Sequence, residues 1–148
     1  MPLIRALGLS MLLAAVTSGC AARYQQPPPE HSHALLELPS QRSQLDRGMF
    51  IEPVEINGLA RPRNWLLEDF RVPAGEFQLL ARAAHDALQG SCRLQFNALA
   101  GQRYLLDAAL ADGKFILRVF QHGLTVAECS APATTLPTPA RIPEVPSR

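Results

Sequence analysis

Three cysteines, four histidines and a scatter of carboxylates are the side chains in this 148-residue chain whose chemistry could define a site. Their spacing excludes more than it allows. Zinc takes three or four ligands, commonly in short pairs. Cys20, Cys92 and Cys129 stand far apart and form no C-x-x-C, so neither a zinc centre nor a thioredoxin-like dithiol is expected. His31-Ser32-His33 offers two imidazoles, but on a polar, Pro-rich tether. His85 is expected in a loop and His122 in a turn. The chain has no G-x-S-x-G nucleophile elbow and no phosphate-cradling Gly loop. Glu68 and Asp69 are adjacent carboxylates, yet neighbours on a strand point to opposite faces and make poor acid–base partners. No catalytic residue, metal ligand or cofactor is assigned.

The cysteines are better explained from the ends of the chain. Arg5 supplies a positive start, and Ala6 to Val16 form an apolar run followed by small residues, the outline of a secretory signal. The run is shorter than the roughly 18–20 residues a helix needs to cross a bilayer. It ends in Thr17-Ser18-Gly19-Cys20, which resembles the lipobox of bacterial lipoproteins; Thr17 stands where that family most often has Leu. The resemblance implies a signal peptide over residues 1–19 and Cys20 as the first mature residue. Cys20 would carry a thioether-linked diacylglycerol and an acylated amine, an anchor of the two-chain kind that holds a protein stably at a membrane. Ala21, not Asp, follows; by the same resemblance this points to the outer membrane, with the protein facing the periplasm.

With Cys20 given to lipid, Cys92 and Cys129 remain. In an oxidising envelope compartment an even pair becomes a disulfide, and these two are expected to bond to each other.

Residues 20–34 include Pro27-Pro28-Pro29 and read as a flexible, extended tether. Residues 131–148, with Pro132, Pro137, Pro139, Pro143 and Pro146, read as a disordered tail. Residues 35–130 are left for a single folded domain. Loss of Arg5 with the signal leaves thirteen basic and thirteen acidic side chains from the fourteen and thirteen of the whole chain. Arg61-Pro62-Arg63 is the densest basic spot. That is no nucleic-acid footprint, which needs a concentrated basic face.

Turn signals set the architecture. X-Gly pairs recur at Asn57-Gly58, Ala74-Gly75, Gln89-Gly90, Ala100-Gly101, Asp112-Gly113 and His122-Gly123, with short apolar runs between them, as in a sandwich of antiparallel strands. Asp112-Gly113 fits a type I′ hairpin. In SCRLQFNA, Cys92, Leu94, Phe96 and Ala98 alternate with polar residues. QRYLLDAAL and KFILRVFQ should pair across Asp112-Gly113, with Phe115, Leu117 and Val119 inward and Ile116, Arg118 and Phe120 on the reverse face. LTVAEC closes the set, and MFIEPVEI, NWLLEDFRV and EFQLLARA precede it. Pro53 marks an edge strand or bulge. The expectation is an all-β antiparallel sandwich of about seven strands. Residues 76–89 stay open between strand and helix: Phe77, Leu80, Ala81, Ala84 and Leu88 fit a helical period, whereas Phe77, Leu79 and Ala81 alternate after a Pro-X-Gly turn. A strand through about Ala83, then a loop, is favoured.

VPAGEFQLLAR and CRLQFNALAGQRYLLDA are similar to a pattern in small bacterial lipoproteins and PEGA-like domains. The resemblance implies an immunoglobulin- or transthyretin-like sandwich in which Pro73, Gly75, Gly101 and Tyr104 are structural positions. It carries no catalytic residues.

The functional expectation is a membrane-anchored, non-catalytic binding or scaffolding module with another envelope protein as partner. Ile116, Arg118 and Phe120 are the candidate partner surface. Two alternatives stand beside it: a small envelope hydrolase or glycan-active enzyme, and an accessory lipoprotein of a secretion or efflux machine.

Overall fold

The computed structural model describes residues 22–62 and 68–137. Cys20, Trp65 and the prolines beyond Pro137 lie outside them. Among the described residues the elements run β1 (His33–Glu37), α1 (Gln41–Arg47), β2 (Met49–Ile56), β3 (Leu59–Ala60), β4 (Asp69–Pro73), β5 (Gly75–His85), β6 (Leu88–Ala98), β7 (Arg103–Ala111), β8 (Lys114–Gln121), β9 (Leu124–Pro132) and β10 (Thr134–Thr135).

They form two sheets in the orders β4-β1-β7-β8-β9 and β10-β6-β5-β2-β3, packed face to face as an all-β sandwich. The seven expected strands are all present in whole or part, and β1, β3 and β10 are added. The last two are two-residue pieces held by a neighbouring edge, too short for alternation to reveal. β1 pairs antiparallel with β4 but parallel with β7, so the sandwich is not purely antiparallel.

Local chemistry explains the hairpins. Asn57-Gly58, Asp112-Gly113 and His122-Gly123 each have positive φ at both residues, from 49° to 78°. This is the type I′ geometry whose twist matches that of the flanking strands. Residues 76–89 resolve as strand: β5 continues to His85, Asp86-Ala87 makes the turn, and His85 pairs with Leu88. His85 therefore ends a strand rather than lying in a loop. Gln89-Gly90, read as a turn signal, is inside β6. Its glycine serves close approach, since a Cβ there would lie 2.9 Å from Phe115 Cδ2 and 3.1 Å from the Pro132 carbonyl oxygen. Pro53 does sit at a bulge, where the β2–β5 register shifts between Pro53 and Glu55.

The core follows the alternation. Phe115, Leu117 and Val119 are fully buried, as are Phe77, Leu79, Ala81 and Ala83 from the facing sheet. The rings of Phe77 and Phe96 meet edge-on with centroids 5.3 Å apart, and Phe96 and Tyr104 lie 5.0 Å apart. The Tyr104 hydroxyl accepts from the Leu99 N–H at 2.8 Å, so Tyr104 fixes the turn around Gly101 as well as filling the core.

The folded unit exceeds residues 35–130 at both ends. Tyr24, placed on the tether by the sequence, is 4% exposed, and its N–H donates to the Ala60 carbonyl at 2.8 Å. At the other end β9 runs to Pro132, β10 follows, and the Leu136 N–H donates to the Ala87 carbonyl at 2.8 Å. Proline-rich composition misled here because a chain with few backbone donors can still be held by those it keeps. The helix α1 was also not anticipated. Ser40 caps it by accepting from the Ser43 N–H, and Gly48 ends it at φ 61°.

Candidate functional site

The strand orders leave two lateral seams where the sheets' edges meet, and each is closed by a different device. On one side β9 passes from its sheet toward β10, which pairs with β6. Here Cys92 of β6 and Cys129 of β9 form a disulfide, with Cα atoms 6.1 Å apart. Both are half-buried against the core. The pairing expected for these cysteines is the one present.

The opposite seam lies between the edge strands β3 and β4. Tyr24 fills it. Its backbone N–H bonds to Ala60, its hydroxyl donates to the Arg71 carbonyl at 2.6 Å, and Arg23 bridges to Ala60 in parallel register. Two further bonds fasten the following residues: the Arg71 N–H donates to Gln26 Oε1, and Arg71 Nε donates to the Pro27 carbonyl, each at 2.8 Å. Burial pushes the Tyr24 phenol up from 10.0 to about 12, against a smaller opposing pull from the Arg71 guanidinium.

Ile116, Arg118 and Phe120 lie on the outer face of β8, opposite the buried Phe115, Leu117 and Val119. They do not form one continuous apolar patch. Arg118 Nε is 2.5 Å from Glu128 Oε2 on β9 and faces Asp107 on β7, which Arg47 of α1 contacts at 2.8 Å. Arg118 stands between Ile116 and Phe120 along the strand, and the three line a small pocket of about 60 Å³ together with Asp107, Ala108 and Ala109. Phe120 also pairs with Leu105 across β7–β8, and Leu105 is 37% exposed. Together they floor a shallow groove of about 610 Å³, bordered by Glu37, Gln102, Arg103 and His122. Glu37 is ion-paired to Arg103, and His122 Nε2 is 3.2 Å from Gln102 Oε1. The groove offers an apolar floor and a rim of paired charge and amide. Among the described residues that line it there is no Ser, Thr, Cys or Lys.

Leu105 was missed in the sequence. It was legible there: once Tyr104, Leu106 and Ala108 point inward, Leu105 is the one large apolar residue on the outward face of β7, beside Ala109 and Ala111.

A second cleft, of about 290 Å³, lies between α1 and β2 and contains Glu52 and Glu68. Its carboxylates are committed. Glu52 binds Arg61 at 2.6 Å and also Arg82, and Glu68 Oε1 accepts from the Gln41 N–H at 3.0 Å. His85 donates from Nδ1 to the Gly48 carbonyl at 2.9 Å, with Nε2 3.5 Å from the exposed Asp86 carboxylate; it does not line the cleft. Among the described residues no polar or charged side chain is fully buried, and no three His, Cys, Asp or Glu side chains gather as a metal site would require. No described helix is long and apolar enough to cross a membrane.

Compared with protein families, curated proteins and solved structures, the chain shows no match to any of them.

Proposed function

We propose that this protein is a lipid-anchored lipoprotein of the bacterial cell envelope, held through Cys20, whose sandwich is a non-catalytic binding or scaffolding module for another envelope protein. The observation that carries the reading is the Cys92–Cys129 disulfide. It accounts for the even pair, fits an exported protein, and leaves Cys20 as the odd cysteine at the end of an apolar run. Ala21 after Cys20 supports the outer membrane as the destination. The Leu105–Phe120 groove supports binding rather than turnover, because its polar groups are already paired and its floor is apolar.

Membrane fractionation of the wild type and Cys20→Ala, with intact-mass measurement of the mature chains, tests the anchor. Expected are a diacylglycerol-modified wild type in the membrane and a soluble or unprocessed variant. A Cys20→Ala protein that is processed and still sediments with membranes would overturn the anchor. Crosslinking from the groove, with identification of the retained protein, tests the module; retrieval of only lipid and abundant porins would count against it.

A further inference from the structure

The tether is too short to be one. If Cys20 carries lipid, as proposed above, four residue steps separate it from Tyr24, roughly 14 Å at full extension. The headgroup region on each side of the hydrocarbon core already takes about 5–8 Å of that reach. From Tyr24 onward the chain is not free. Tyr24 is wedged in the β3–β4 seam, and Gln26 and Pro27 are hydrogen-bonded to Arg71. The prolines that follow therefore lie on the domain side of the attachment and add nothing to the distance from the membrane.

We infer that the β3–β4 seam is the membrane-facing side of the domain, seated against the phospholipid headgroups, and that the disulfide seam of β6 and β9 faces away. The residues on the seated side suit the contact. Arg23 donates from Nη1 to the Arg61 carbonyl at 2.8 Å, a neutral acceptor, so its charge is available to phosphate. Arg61 stands beside it, shared with Glu52. The strand orders put β9 at the opposite edge of the sandwich from β4, and β6 and β10 opposite β3. A partner arriving from the aqueous side would thus meet β9 and the outer sheet face before it met β3.

The disulfide makes the test clean. With Cys92 and Cys129 bonded and the Cys20 sulfur in a thioether, a cysteine introduced at the surface is the sole reactive thiol. Leu59→Cys on β3 and Val126→Cys on β9 start from matched exposures of 37% and 39%. Each full-length lipoprotein is labelled with a fluorophore, checked by mass for the diacylglycerol, and reconstituted in phosphatidylethanolamine–phosphatidylglycerol vesicles containing a nitroxide-headgroup lipid. Expected is quenching at position 59 at least threefold that at position 126. Inserting about 20 Gly and Ser residues between Ala22 and Arg23, an average span of roughly 25 Å, should bring the ratio toward one. Equal quenching in lipidated protein would overturn the orientation, and an unchanged ratio in the spacer variant would overturn the short strap as its cause. A mature mass without lipid on Cys20 removes the anchor itself, and that failure is read before any quenching is measured.

Discussion

The Tyr24 hydroxyl donates to the Arg71 carbonyl oxygen at 2.6 Å, and with the two bonds from Arg71 to Gln26 and Pro27 it joins the segment after Cys20 to the middle of β4. It turns what composition describes as a tether into the closing piece of a sandwich seam. It also makes the phenol a reporter, because the proton it holds is the one that makes the bond.

Tyr24→Phe should lower stability by about 1–2 kcal/mol near neutral pH, the cost of leaving a partly buried carbonyl without its donor. The difference should depend on pH. The folded phenol titrates near 12 and the unfolded one near 10.0, so the unfolded chain loses its proton first. Tyr24's contribution is fully present below pH 10 and is lost as pH rises toward 12. Urea midpoints of both proteins between pH 7 and 12 should converge at the alkaline end; a constant gap would show that the hydroxyl does not carry the effect.

Breaking the disulfide should cost about 3–4 kcal/mol in the chain-entropy account for a 37-residue separation. The Cys92→Ala, Cys129→Ala double variant, or reductant, should lower the denaturation midpoint accordingly. Alkylation of native mature protein, followed by intact-mass measurement, should find neither thiol reactive. Two alkylated cysteines without reductant would contradict the bond.

Gly90→Ala should destabilise by about 1–3 kcal/mol, because the new methyl would press on the Phe115 ring and the Pro132 carbonyl. Phe115 is fully buried, and close-packed interiors give little room for a ring to shift. Gly113→Ala is the comparison. Open space surrounds it, and its φ of 72° makes the cost one of backbone strain, of order 1 kcal/mol. Thermal denaturation of both, with a larger loss at Gly90, would separate close packing from turn geometry.

Leu105→Ser with Phe120→Ser should abolish retention of a crosslinked partner by more than tenfold if the groove is a contact surface, since buried apolar anchors dominate such interfaces. Arg118→Ala should change stability by less than about 1 kcal/mol, because its pair with Glu128 is solvent-exposed. Partner capture and a melting curve measured on the same preparations distinguish loss of a surface from loss of the fold.

The sandwich was readable because its signals are local. Alternation in SCRLQFNA and KFILRVFQ marks the buried faces, and Asp112-Gly113 marks a hairpin whose two residues both need positive φ. Gly90 shows the limit. Glycine after glutamine looks like a turn, and only the approach of Phe115 from the other sheet reveals that it is there for want of a Cβ. Phe120 shows it again. Its outward direction followed from alternation, but its pairing with Leu105 and the Arg118–Glu128 and Arg47–Asp107 ion pairs beside it depend on register between strands.

The sequence alone determined the all-β class, the hairpins at Asn57-Gly58, Asp112-Gly113 and His122-Gly123, the inward faces and the pairing of Cys92 with Cys129, because each rests on side-chain period, backbone sterics or residue identity. The tertiary structure decided how Tyr24 is held. Tyr24 belongs to the fold because β3 and β4, brought to adjacent edges of different sheets, leave a seam of the right size and a carbonyl in reach of its hydroxyl. No local pattern encodes that, since the groups that hold Tyr24 lie 36 and 47 positions away in the chain.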